Sequence, residues 1–93
     1  MEAFYEYGLV NDVRPDEEQR VGRLNEWLLV PFAVYRNEFD AVTQMGNFNT
    51  ERQKARQVGT AFDLDRILRR PVDVRLCQRR VVIWPWEDYT PSY

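Results

Sequence analysis

The feature that most constrains this chain is the placement of its strand-like periodicity. Residues that alternate with a period of two lie only near its two ends, and helical spacing punctuated by prolines lies between them. Residues 3–10 read Ala-Phe-Tyr-Glu-Tyr-Gly-Leu-Val, aromatic-rich, and an extended backbone puts Ala3, Tyr5, Tyr7 and Leu9 on one side. Asn11 and Asp12 end that strand. Toward the other end, Val72, Val74 and Leu76 alternate with Asp73, Arg75 and Cys77, the pattern of a half-buried strand. The parity breaks across residues 78–80, and Val81-Val82-Ile83-Trp84 resumes as a continuous apolar run, which predicts a turn or bulge between two strands.

Between these ends, Pro15 followed by Asp16, Glu17 and Glu18 reads as a helix start, because proline suits the first turn and acids complement the exposed N–H groups. Val21, Leu24 and Leu28 carry that helix to Leu29, where Pro31 ends it. Phe32, Tyr35, Phe39 and Val42 then share a helical face, with Gly46 and Asn47 as the stop. Residues 28–36 also fit a buried strand with Pro31 at a bulge, so two readings stand there. Asn49 is the expected cap of a short polar helix ended by Gly59. Asp63 is the expected cap of another running to Arg70, with Asp65 paired to Arg69. The fold class that follows is α+β: a small antiparallel sheet, made of an N-terminal strand and a C-terminal strand pair, packed against two to four helices.

Ninety-three residues leave room for one core, so residues 1–85 are expected to form a single domain and residues 86–93 an aromatic C-terminal tail. No stretch reaches the roughly 20 apolar residues needed to cross a bilayer, and the start lacks the pattern of a cleaved signal. Cys77 is the only cysteine, which suits a reducing compartment and a small buried side chain, so a cytoplasmic location is expected.

The absence of histidine removes the commonest general base and metal ligand, and the four glycines, at 8, 22, 46 and 59, form no phosphate-binding loop. No enzyme activity, no cofactor and no metal site are expected. Asp63, Asp65 and Asp73 resemble a carboxylate cluster, but caps and ion pairs account for them. No motif is specific enough to assign a family.

Charge is divided along the chain. Residues 1–48 hold nine acids and four arginines, whereas residues 49–86 hold nine basic residues and four acids. The basic part supplies the candidate binding residues Arg66, Arg69, Arg70, Arg75, Arg79 and Arg80, a cluster suited to carboxylates or phosphates. Trp86, Tyr89 and Tyr93 in the tail complete the set, being residue types that dominate interface energetics, while Trp84 is expected to cover the core. The reading that follows is a protein-binding module, an accessory subunit or small inhibitor of a larger intracellular partner. The alternative is a single-stranded nucleic-acid binder that neutralises phosphates and stacks bases. An overall pI near 5.1 favours the protein partner. A weaker third reading makes Asp12, Asp16, Glu17, Glu18 and Glu26 a mimic of a phosphate array, although acids at a helix start already have a structural explanation.

Overall fold

The computed structural model describes residues 1–17 and 31–92. In chain order these form β1 (Glu2–Asn11), a 3-10 turn (Pro15–Glu17), β2 (Ala33–Tyr35), α1 (Glu38–Gln57), α2 (Asp63–Leu68) and β3 (Val74–Ile83). The three strands make one antiparallel sheet in the order β2-β1-β3. The class is α+β; where two to four helices are expected, the described residues hold one long and one short helix.

The two ends of the chain meet as their patterning requires, and β1 pairs with β3 from Glu2↔Ile83 to Asn11↔Val74. The expected turn at residues 78–80 is absent, because β3 is a single ten-residue strand in one register. Parity breaks there for another reason. Gln78, Arg79 and Arg80 are exposed, so no core face enforces alternation beyond Cys77.

The middle of the chain departs furthest from its periodicity. Ala33–Tyr35 is a short strand, so Phe32 and Tyr35 precede the helix instead of lining it. The alternative reading of residues 28–36 is right about a strand at these three positions but not about its burial, since Val34 is 51% exposed, and residues 28–30 lie outside the described residues. Asn37 caps α1 by accepting a hydrogen bond from Asp40 N (3.2 Å), and Glu38 and Asp40 occupy the first turn. The helix then passes through Gly46 without interruption. A Cβ there would meet nothing within 4 Å, so this glycine lowers helix stability by about 1 kcal/mol without forcing a turn. Asn49 is consequently interior to the helix and caps nothing. Gly59, at φ +79°, supplies the expected stop.

The second helix is also shorter than its pattern. Phe62 occupies its N-cap position without a side-chain bond, and Asp63 pairs with Arg66 instead of capping. Arg69 closes it in the left-handed region (φ 56°), and the turn before Pro71 brings Val72 back beneath it. Val13, Leu64, Leu68 and Val72 form the buried cluster, with Phe62 packed against it, and Leu9 and Val10 of β1 are fully buried. The expected helix from Pro15 survives as a 3-10 turn to Glu17, and its remainder lies outside the described residues.

Candidate functional site

The packing of α1 is the key to the surface it leaves. Ala41 is its one buried residue, while Phe39, Val42 and Phe48 remain exposed, Phe48 meeting Phe32 edge-on at 5.3 Å. An apolar stripe therefore does not hold this helix. Asn49, Arg52 and Arg56 do, spaced so that they project from one helical face.

Their targets are backbone groups at the start of β3. Val74 N donates to Asn49 Oδ1 (2.7 Å) and Asn49 Nδ2 donates to Val74 O (3.1 Å), so the amide side chain pairs with the strand as a neighbouring peptide would. Val72 N donates to Asp65 Oδ1 (2.8 Å), and Val72 O accepts from Arg52 Nη1 (2.9 Å) and Arg56 Nη2 (3.0 Å). Arg56 also binds Asp65 Oδ2 (2.6 Å) and Asp73 Oδ1 (3.0 Å), while Arg52 reaches Asn11 Oδ1 (2.6 Å) and stacks on the Phe62 ring at 4.2 Å. Hydrogen bonding to Asp65 raises the Arg56 pKa against the pull of burial. Burial pushes the Asp65 carboxyl up, but the bonds from Arg56 and Val72 outweigh it and its pKa is lowered. Desolvation lowers the Arg52 pKa, consistent with direct partners that are uncharged.

These contacts cap one edge of the sheet. Asp12 N donates to Asp73 O (2.8 Å), continuing the β1–β3 register, while the backbone groups of Val72 and Val74 point the other way. Antiparallel strands alternate between residues that bond to the partner and residues that bond away from it. Leu76, Gln78, Arg80 and Val82 therefore turn their N–H and C=O groups outward along β3. Among the described residues nothing bonds to them.

The expected arginines divide into two sets around this edge. Arg70 is internal: its Nε donates to Glu17 Oε2 (2.7 Å) and its Nη2 to Asp12 O, so it closes the 3-10 turn onto the core. Arg75 lies 3.4 Å from Asp12 and Arg66 pairs with Asp63. Arg69 occupies the C-cap of α2 with its side chain outward. Arg79 reaches Glu6 (3.1 Å) across the sheet yet stays 72% exposed, and Arg80 is exposed without a partner among the described residues. The cluster is thus split, and Arg79 and Arg80 are the pair that the fold presents on the open edge.

Residues 84–92 leave the end of β3 without regular structure. Trp84 is 71% exposed, Trp86 fully exposed and Tyr89 82% exposed. Trp84 therefore does not cover the core: β3 carries it past Glu2, the first residue of β1, beyond which the sheet has no neighbour to cover. Tyr93 lies outside the described residues.

Of the acids considered as a phosphate mimic, Asp12 and Glu17 are held by arginines, and Glu18 and Glu26 lie outside the described residues. Asp65 and Asp73 both pair with Arg56, and among the described residues no group of three or more potential ligands is placed to hold a metal ion. Cys77 lines a pocket of about 270 Å³ with Gly8, Pro31 and Val34, and its thiol donates to Gly8 O (3.4 Å). No described helix is long and apolar enough to cross a membrane. What the residue patterns did not disclose is the role of Asn49, Arg52 and Arg56, although their spacing on one face was the available signal. No family model matches the chain, and comparison with curated proteins and with solved structures returns no match.

Proposed function

We propose that this chain is a non-enzymatic protein-binding module, an accessory subunit or small inhibitor, which docks through residues 84–92 and the exposed arginines of β3. The observation that carries the reading is the exposure of Trp84, Trp86 and Tyr89 on one segment that projects from the end of a rigid strand. Such a segment offers large amphipathic side chains at low conformational cost.

A protein partner is favoured over single-stranded nucleic acid because the arginines are mostly engaged. Arg70 and Arg56 are consumed inside the fold, and Arg66, Arg75 and Arg79 each face an acid, so Arg69 on α2 and Arg80 on β3 do not join into the extended basic groove that a phosphate track needs. Affinity capture from the source cell, with and without nuclease, tests this. The expected result is a protein retained after nuclease treatment and lost with Trp86→Ala, a change that should weaken binding by about 2 kcal/mol or more. Loss of the partner on nuclease treatment, with steep weakening as salt rises, would select the nucleic-acid reading.

A further inference from the structure

Two features of this molecule have no bonding partner among the described residues, and they follow one another along the chain. One is the outer half of the β3 edge. The N–H and C=O groups of Val72 and Val74 are capped by Asp65, Asn49, Arg52 and Arg56, but among the described residues nothing bonds to those of Leu76, Gln78, Arg80 and Val82, over a length of about 20 Å. An uncapped edge of that length is a template for one further strand of ordinary size. The other is residues 86–90, Trp-Glu-Asp-Tyr-Thr, without regular structure, exposed, and bounded by Pro85 and Pro91, which cannot donate to a ladder.

Charge selects between the ways a second copy could use that edge. Two β3 strands paired antiparallel about a two-fold axis keep the same faces together. Every register overlapping more than half the strand then sets Arg79 or Arg80 directly or diagonally across from an arginine of the other copy. Direct β3–β3 pairing is disfavoured on that ground. The segment after β3 has the opposite character. Laid antiparallel on the edge with Glu87 across from Arg80, it sets Asp88 across from Arg79, Trp86 across from Val81 and Tyr89 across from Gln78. Adjacent acids project to opposite faces, as Arg79 and Arg80 do. In this register Glu87 and Tyr89 meet the outward groups of Arg80 and Gln78, and the two prolines fall at the ends of the ladder.

We propose that the open half of the β3 edge receives residues 86–90 of a second copy as a fourth strand, joining copies head to tail. The inference rests on the reading of this segment as a docking element and names what it docks onto. Because donor and acceptor are different surfaces, the contact is heterologous and continues from copy to copy into a ring or a filament. Another protein that takes the same segment competes with this self-association.

The experiment is sedimentation of the full chain over a concentration series, with variants that disable one surface each. Gln78→Pro removes an outward N–H and leaves the β1 pairing intact, so melting should be unchanged while association weakens by at least about tenfold. Arg80→Glu, which keeps the backbone, should do the same by charge. Glu87→Arg combined with Asp88→Arg disables the donor. Each variant alone is expected to be monomeric, and a mixture of Gln78→Pro with the donor variant should give a 1:1 dimer and nothing larger. Amide exchange at Gln78 and Arg80 should be fast in the dilute protein and slow on association. A wild-type chain that stays monomeric, a dimer unaffected by Gln78→Pro, or slow exchange at these amides in the monomer would each overturn the proposal. Monomeric wild type that still loses a captured protein on Trp86→Ala would refute the self-association alone and leave the docking role standing.

Discussion

Asn49 offers the sharpest test of how this fold is held, because local and tertiary physics predict opposite signs for its replacement. It sits inside α1, where alanine is the better helix former by roughly 0.5 kcal/mol. An exposed neighbour on the same helix, Asn47, should show that gain when changed to alanine. Asn49→Ala should do the reverse. Its amide satisfies both backbone groups of Val74 at 2.7 and 3.1 Å, and Val74 is 3% exposed, so both groups would lose a partner where water replaces it poorly. Each such loss costs about 1–3 kcal/mol, and because Asn49 itself is partly solvated the lower half of that range applies. After the helical gain, the net destabilisation is about 2 kcal/mol, which for a domain of this size lowers Tm by roughly 8–16 °C. Equilibrium urea unfolding followed by circular dichroism measures both variants on one scale. Asn49→Ala as stable as wild type, or stabilised like Asn47→Ala, would refute the idea that side chains of α1 stand in for a fourth strand at the start of β3.

Three further outcomes follow from the same contacts. The Glu17 carboxyl is held at a pKa of about 2, chiefly by the hydrogen bond from Arg70 and against the effect of burial, so its contribution is complete above the ordinary carboxylate range. That contribution is lost as pH falls from about 4.5 toward 2. Glu17→Gln should therefore flatten the stability profile across that window, as read by denaturant unfolding at several pH values. Arg56→Met leaves Asp65 buried without its countercharge and should cost about 3–5 kcal/mol, with part of the loss recovered when Asp65→Asn is added. Gly8→Ala would place a Cβ 2.6 Å from the Pro31 ring, a contact that must displace the proline and should lower stability by about 1–3 kcal/mol in thermal unfolding.

The residue pattern by itself determined the elements whose stability is local or whose face is buried. Alternation at the start of β3 is legible because Val72 and Val74 are buried while Asp73 between them is exposed, and burial of one face is what writes a period of two into a strand. In β1 the end is covered on both faces instead, with Gly8, Leu9 and Val10 buried in succession. The helix stop at Gly59 is legible because its left-handed backbone is a local demand that glycine meets. The continuity of β3 through Gln78, Arg79 and Arg80 was not legible, since an exposed edge imposes no pattern on side chains. The length of α1 was hidden for a related reason: a helix held by Asn49, Arg52 and Arg56 has no apolar stripe to read, and Gly46 breaks a helix only where the backbone must turn. The arginines show the limit most clearly. Their number and clustering stand in the sequence, but Arg70 is an internal ion-pair partner and Arg80 an open-edge group. That difference is decided by which acids and carbonyls the tertiary structure brings within hydrogen-bond reach, because a guanidinium is neutralised by position in space and not by position in the chain.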